Sequence, residues 1–314
     1  VLLVLEKYGH LGRGWPVWAK WLFTFLMVNF AWVLFRADSL AAAGQYGVLP
    51  WMHLSSLTEE GRFSSSRAEV LLKSSHRQEA LLEQIKEILK EKGYGGVDVD
   101  FEYLQPGLAG AYTAFIERLR QELNKLGYTV QVALAPKVSR GQKGLLYESH
   151  DYAALGRAAN GALLMTYEWG YSAGPPMAVA PLDKVRQVVD YALGEIEAKK
   201  LFLGVPVYGY DWPLPYRQGA TRGVSVAPQE ALDLARRQGA EIQFDETAQA
   251  PWFRYTAADG REHEVWFEDA RSSYAKFRLA AEKGLQGVGL WNLMRPAVQT
   301  YLVLHGGFEI EEVR

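Results

Sequence analysis

The segment GGVDVDFEYL at residues 95–104 places three carboxylates, Asp98, Asp100 and Glu102, at alternating positions. Side chains alternate between faces along a strand, so these three point one way while Val97, Val99 and Phe101 point the other. Like charges that close resist ionising together, which raises at least one pKa and keeps an acid protonated near neutrality. Such an acid suits general-acid cleavage of a glycosidic bond. Two other uses of the row compete with this one. An edge strand could carry a solvated acidic face, but the segment lies between two helical stretches and reads as an interior parallel strand with its inner face enclosed. Three carboxylates could also hold a metal, but alternating strand positions with no histidine nearby argue against it. No metal and no cofactor are expected.

The elements that must position this row follow from periodicity. Apolar runs bounded by turn residues occur at 48–54, 96–101, 129–135, 162–167, 201–207 and 287–293. Leu81, Leu82, Ile85, Ile88 and Leu89 recur at helical spacing after Ser74 and Ser75, which can cap a helix start. Phe115, Leu119, Leu123 and Leu126 form a second stripe before Gly127, and Val185, Val188, Val189 and Leu193 a third. This alternation means an α/β fold with buried parallel strands, a closed barrel or a doubly wound sheet. In a barrel the C-terminal strand end opens into the active site, so Glu102 stands highest and reaches a substrate first. Residues 208–272 interrupt the rhythm with Trp, Tyr, Pro and Gly and short strand-like pieces at 241–244, 252–256 and 264–267 around one helix. They read as a small α+β insertion between the last two strands.

Composition narrows the class further. A net charge of -2 with no basic cluster gives no footprint for nucleic acid, and the absence of cysteine excludes disulfides, thiolate metal sites and cysteine nucleophiles. The chain's 10 Trp and 17 Tyr suit the flat apolar platforms of sugar-binding clefts as well as ordinary packing. Residues 1–46 stand apart from residues 47–314. The uncharged run WLFTFLMVNFAWVLF at 21–35 is 15 residues long, short for a membrane span of about 20. Extended back to Trp15, it allows membrane contact over residues 15–36, with a buried hydrophobic helix as the alternative.

GGVDVDFEYL resembles the acidic signature of family 18 glycoside hydrolases, of general form D-G-x-D-x-D-x-E. The resemblance implies that Glu102 is the proton donor, Asp100 the aspartate that orients the substrate's acetamido group, and Asp98 its deeper partner. Gly95 stands where the pattern has Asp. MTYEWG at 165–170 is similar to the family's strand-six motif, which gives Tyr167 the role of stabilising the reaction intermediate. Most chitinases have Asp where this chain has Glu168. Tyr-Glu-Trp and the following GPPMAVAP resemble the spore-cortex-lytic, peptidoglycan-cleaving branch. GVPVYGYDW at 204–212 resembles the seventh strand and the start of the insertion, and GVGLWNL at 287–293 the last strand, with Trp291 as the floor beneath the reacting sugar. Met165, Glu168, Trp169, Tyr208 and Asp211, within these motifs, are expected to line the substrate site.

The resemblance spans about residues 48–310 and implies a (β/α)8 TIM-type barrel. Six strands after residue 47 suggest that its first two strand–helix units are missing. Residues 24–43 resemble the last membrane segment of membrane-bound O-acyltransferases and carry none of that family's catalytic histidine region. The implied activity is retaining, substrate-assisted hydrolysis of β-linked N-acetylglucosamine polymers, with peptidoglycan favoured over chitin as the polysaccharide partner. The implied place of action is extracellular, at the cell wall or spore cortex, with membrane anchoring through the N-terminal segment as an alternative. A sugar-binding relative or an inactive truncated barrel are the competing readings. Gly170 to Gly174 also match the G-x-S-x-G elbow of serine hydrolases, but Pro175 and Pro176 oppose the helix that elbow requires.

Overall fold

The computed structural model describes residues 49–58, 61–292, 294–295 and 297–308. The hydrophobic N-terminal helix, the membrane contact and the acyltransferase-like segment all lie outside the described residues. No described helix is long and apolar enough to cross a membrane.

The main sheet has six strands: β1 (Met52–Ser55), β2 (Gly96–Asp100), β3 (Thr129–Leu134), β4 (Gly161–Leu164), β5 (Leu201–Pro206) and, after the insertion, a last strand at Gly287–Trp291. They run parallel in that order. The expected α/β architecture is therefore present, and each expected apolar run supplies one strand. The two strand–helix units expected to be missing would precede β1, where the chain lies outside the described residues. Strand ends differ from expectation by a few residues. Met165, Thr166 and Tyr167 follow β4 rather than continuing it, because the chain turns there into the cleft wall.

Helices pack on the outer face. These are α1 (Ser65–Leu72), α2 (Ser75–Lys92), α3 (Ala109–Asn124), α4 (Tyr152–Ala158) and α5 (Leu182–Leu193). Ser74 caps α2 by accepting from the Arg77 N–H, as its position implies, and Gly93 ends the helix in the left-handed region at φ 66°. Leu82, Ile85 and Leu89 are buried beneath it, each contributing roughly 1.5–3 kcal/mol of apolar burial. Two short helices, α1 and α4, escape sequence periodicity because neither is long enough to show a stripe. Leu126 was expected in the second stripe but falls beyond α3 and is exposed.

The insertion is a five-stranded antiparallel sheet in the order β7-β6-β10-β9-β8. Its elements are β6 (Gly209–Pro213), β7 (Val224–Val226), α6 (Pro228–Gln238), β8 (Gln243–Asp245), β9 (Ala250–Thr256) and β10 (Glu262–Trp266). The first two strands were not foreseen, since Pro and Gly around them mask the alternation. Phe253, Val265 and Phe267 pack with Ala231 and Ala235 of α6 in a separate small core. Then α7 (Ala270–Glu282), capped by Asp269, leads to β11 (Gly287–Trp291) and α8 (Val298–Gly307). Lys276 of α7 donates to Glu268 at 2.8 Å with both side chains fully buried.

Close approach of β2 to β3 requires a glycine at 96, where a Cβ would lie 2.2 Å from the Thr129 carbonyl oxygen. At Gly95, by contrast, the Cβ position is filled by the movable Leu49 side chain, 2.1 Å away. Gly96→Ala should therefore destabilise the chain by about 1–3 kcal/mol, the usual cost of overpacking, seen as a lower midpoint in denaturant unfolding.

Candidate active site

β2 divides its residues as its alternation requires. Val97, Val99 and Phe101 are buried against the helices, and the Phe101 ring stacks on Tyr112 at 5.6 Å and Phe115 at 5.9 Å, both from α3. Asp98 and Asp100 face inward, and Glu102 follows two residues past the strand end. The chain turns sharply after it, with Tyr103 at φ 55°, a left-handed conformation that costs a non-glycine residue of order 1 kcal/mol or more.

Backbone grips on either side hold this turn. The Ala135 N–H donates to His150 Nδ1 at 2.8 Å, which leaves Nε2–H to donate to the Phe101 carbonyl at 3.0 Å. Burial pushes the His150 pKa down to about 4, so the ring stays neutral and keeps that tautomer. Ser149 Oγ reaches the carbonyls of Leu104 at 3.1 Å and Gln105 at 2.8 Å. Lys137, itself buried, donates to the His150 carbonyl at 2.9 Å.

The row is electrostatically graded. Burial, then the charges of Asp100 and Glu168, push the Glu102 carboxyl up to about 8, and among the described residues it makes no hydrogen bond or ion pair. Burial first, and Asp98 further, push Asp100 up to about 6, while His53 opposes them. Asp98 Oδ1 and Asp100 Oδ1 are buried without partners. Unsatisfied buried carboxylate oxygens are rare where packing alone governs and common where a ligand or proton must be received.

His53 corrects the expectation that no histidine lies near the row. It sits on β1 in register with Asp98, donating from Nδ1 to Asp98 Oδ2 at 2.9 Å, with Nε2 3.8 Å from Asp100 Oδ2. Sequence distance hid it, because parallel strands bring together residues that a helix separates. The signal available was a single histidine inside the apolar run at 48–54.

Parts of the other motifs gather around the row. Tyr167 is half-buried, and its ring lies nearly parallel to Trp291 at 6.4 Å and 14°. Burial, then the negative charges of Asp100 and Glu102, push its phenol far up, so it remains an O–H donor. A Cβ at Gly204 would lie 2.8 Å from the Tyr167 ring, so that glycine makes room for it. Trp291 ends β11 with nearly half its surface exposed. Met165 is buried beside Ala133 and Ala135, beneath the cleft wall.

Glu168, at φ 67°, accepts O–H donors from Tyr208 and from Tyr210, the latter at 3.0 Å. Crowding by protein raises its pKa, and the two phenols act against that rise. Tyr210 was not foreseen. The structure does not bring every expected residue to the row. Trp169 is half-buried and packs on the main core. Asp211 alternates away from Tyr210 along β6 and is held by Tyr255 Oη at 2.7 Å and His263 Nδ1 at 2.8 Å, within the insertion sheet. After Ser172 no helix begins before Leu182, which leaves the serine-hydrolase elbow without its required element.

A parallel α/β sheet with a graded carboxylate row at one strand's C-terminal end and an antiparallel insertion before the last strand defines a class of sugar-cleaving folds. Residues 58–295 match the glycosyl hydrolases family 18, and the chain belongs to that family. The cortical fragment-lytic enzyme of Bacillus subtilis (strain 168) is 45% identical over 252 residues, covering 80% of this chain and 58% of that protein. The crystal structure of the Bacillus megaterium QM B1551 spore cortex-lytic enzyme SleL superposes with a TM-score of 0.83 at 42% identity, over 87% of this chain and 62% of that one. A chitinase from Chromobacterium violaceum ATCC 12472 superposes with a TM-score of 0.80 at 27% identity, over 86% of this chain and 83% of that one. The chain thus spans about three fifths of the length of the cortex-lytic relatives.

Because the Asp100 charge helps to hold the proton on Glu102, Asp100→Asn should bring the Glu102 pKa down from about 8 toward the ordinary range. Carbon-13 titration of the Glu102 carboxyl, compared between parent and variant, reads this shift directly. An unchanged value would assign the rise to burial and Glu168 without Asp100.

Proposed function

We propose that this chain hydrolyses β-linked N-acetylglucosamine polymers with retention of configuration, and that its substrate is spore-cortex or cell-wall peptidoglycan. The observation that carries the reading is Glu102, a half-buried carboxyl pushed up to about 8 at the mouth of the cleft. It holds its proton at neutral pH and has no partner among the described residues to hold it away from a substrate.

A retaining enzyme with a protein nucleophile needs a second carboxylate facing the acid across the sugar, about 5–5.5 Å away. Asp100 ends β2 two residues before Glu102, on the same stretch of chain rather than across the sugar from it, and Glu168 is engaged by two tyrosines. The substrate's own acetamido group fills this role. Its oxygen bonds to the anomeric carbon as the bond to the leaving oxygen breaks, and Glu102 gives its proton to that oxygen. Asp100 orients the acetamido N–H and balances the positive charge that develops, with Asp98 beneath it. The Tyr167 hydroxyl donates to the acetamido oxygen, and Trp291 supports the sugar ring. Water then attacks the anomeric carbon, returns a proton to Glu102 and restores the acetamido group. Met165, Trp169 and Glu168 shape the wall behind this position. Asp211 acts from further back, by fixing the insertion sheet that carries Tyr210 and follows directly on Tyr208.

The preference for peptidoglycan rests on the cortex-lytic relatives and on Tyr167-Glu168-Trp169. Those relatives also support action at the spore cortex or cell wall. Chitin is the second reading, favoured by the likeness to the C. violaceum chitinase.

Incubating the chain with spore-cortex peptidoglycan, N-acetylated chitin oligomers and their de-acetylated counterparts, then scoring new reducing ends by mass spectrometry, tests the proposal. Cleavage of the cortex and none of the de-acetylated sugar is expected. Glu102→Gln should lower the rate by about 10²–10⁴-fold, the usual share of general-acid catalysis. Cleavage of de-acetylated sugar would overturn substrate assistance.

The pH profile carries its own sign. Glu102 must be protonated, so kcat/KM falls as pH rises through about 8. Asp100 must be ionised, so kcat/KM also falls as pH drops through about 6. A rate still rising above pH 9 would remove Glu102 as the acid.

A further inference from the structure

We propose that His53 is a positioning residue that lies as an imidazolium across Asp98 and Asp100, keeping both carboxylates ionised while Glu102 alone holds a proton. The proposal rests on the reading of Glu102 and Asp100 given above and adds a residue from outside the family motifs.

The geometry is that of a cation between two anions. His53 Nδ1 is 2.9 Å from Asp98 Oδ2 and Nε2 is 3.8 Å from Asp100 Oδ2. A neutral imidazole has one N–H, so one of its nitrogens would turn a lone pair toward a carboxylate. Only the imidazolium offers a donor to both. Parallel register enforces the arrangement, since His53 pairs with Asp98 and Ser55 with Asp100 on neighbouring strands.

The titratable groups around His53 and its two carboxylates are consistent in sign. From β2 and its continuation come Asp98, Asp100 and, two positions further, Glu102. From α3 and from the chain after β4 come the neutral phenols of Tyr112 and Tyr167, which sense the same carboxylates. Among the described strands, β1 pairs only with β2, so no second strand brings another charge to the ring. The side chain keeps nearly half its surface open, which leaves a proton free to enter from water.

The protonation equilibria agree with this geometry. The hydrogen bond to Asp98, followed by the charges of Asp98 and Asp100, raises His53 above its ordinary 6.5, with burial acting against them. His53 in turn pulls Asp100 down against the effect of burial. The sign for stability follows from the raised value. The stabilisation from charged His53 is complete below 6.5 and is lost as pH rises through the higher folded value.

A row of three carboxylates would ordinarily meet its repulsion by sharing a proton between the lower two, which leaves Asp100 partly protonated and less able to balance charge on the substrate. A cation at His53 removes that need. Asp100 is then available as an anion at neutral pH, and its charge remains to keep the proton on Glu102.

His53→Gln, which retains size and one donor, tests the proposal in two independent ways. In turnover, the acid limb of kcat/KM should move up by about one pH unit, the low end of what an opposite charge within ~4–6 Å exerts. The loss should fall on kcat, with KM little changed. In the full chain without substrate, long-range nitrogen-15 spectra of histidine-labelled protein should show the His53 ring still charged above pH 6.5, and Asp98→Asn should bring its titration down. His53 is assigned by its disappearance in His53→Gln. An acid limb unmoved by His53→Gln, or a His53 ring neutral at pH 6.5, overturns the proposal. If no N-acetylated glycan is cleaved by the parent chain, the proposed function has failed, and the nitrogen-15 titration still decides the charge on His53.

Discussion

Three carboxylates along β2 and the two residues that follow it set the electrostatic constraint around which this molecule is arranged. Neighbours on a strand face lie about 6–7 Å apart, and at an effective dielectric of about 20 each ionised pair costs roughly 2–3 kcal/mol. Enclosure by the sheet adds desolvation, which is the largest cause of the rise at both Asp100 and Glu102. The conflict is resolved by gradation rather than by neutralising the whole row. The deep end meets an imidazole, the middle stays buried with an oxygen unpaired, and the upper end holds a proton where the cleft opens. Desolvation, with the same repulsion added to it, thus favours the protonated form of Glu102.

That gradation requires β2 to be held rigidly, and the holding is done by groups that take no part in the chemistry. Apolar side chains on the outer face anchor the strand to α3 through stacked rings. On the inner side, Ser149 and His150 grip the backbone before and after the turn that aims Glu102. Their donors fix the carbonyls of Phe101, Leu104 and Gln105 while Tyr103 takes a left-handed conformation. A turn under strain keeps one geometry only when its neighbours over-determine it, and here hydrogen bonds from both sides do so.

Residues 95–104 were legible in the sequence because the period of a strand translates directly into a face. The facing of Asp98 and Asp100, and the apolar burial of Val97, Val99 and Phe101, follow from spacing alone, while Glu102 falls two residues past the strand. The six parallel strands were legible for a similar reason, as apolar runs bounded by turns. His53 was not, since its neighbour is 45 residues away and only strand order brings the two together. Tyr210 was hidden by its motif, in which Asp211 stood out as the charged residue. Alternation along β6 sends the two to opposite faces, so the tyrosine meets Glu168 while the aspartate meets Tyr255 and His263. Gradation of the pKa values needs burial, which no one-dimensional pattern supplies.

Glu168 shows how a single methylene can join two parts of this fold. It lies after β4 of the main sheet, yet its carboxylate accepts from Tyr208 and Tyr210, at the entry to the insertion sheet. An aspartate at this position, as in most chitinases, would end about 1.5 Å short of those hydroxyls. It would leave the buried Tyr208 phenol in want of an acceptor, at a cost of about 1–3 kcal/mol. The charge of Glu168 also raises the Glu102 pKa, adding to the effect of Asp100. The longer side chain therefore reaches two hydroxyls that an aspartate would miss from this backbone. It locks the insertion to the cleft wall, and it helps to keep the acid protonated.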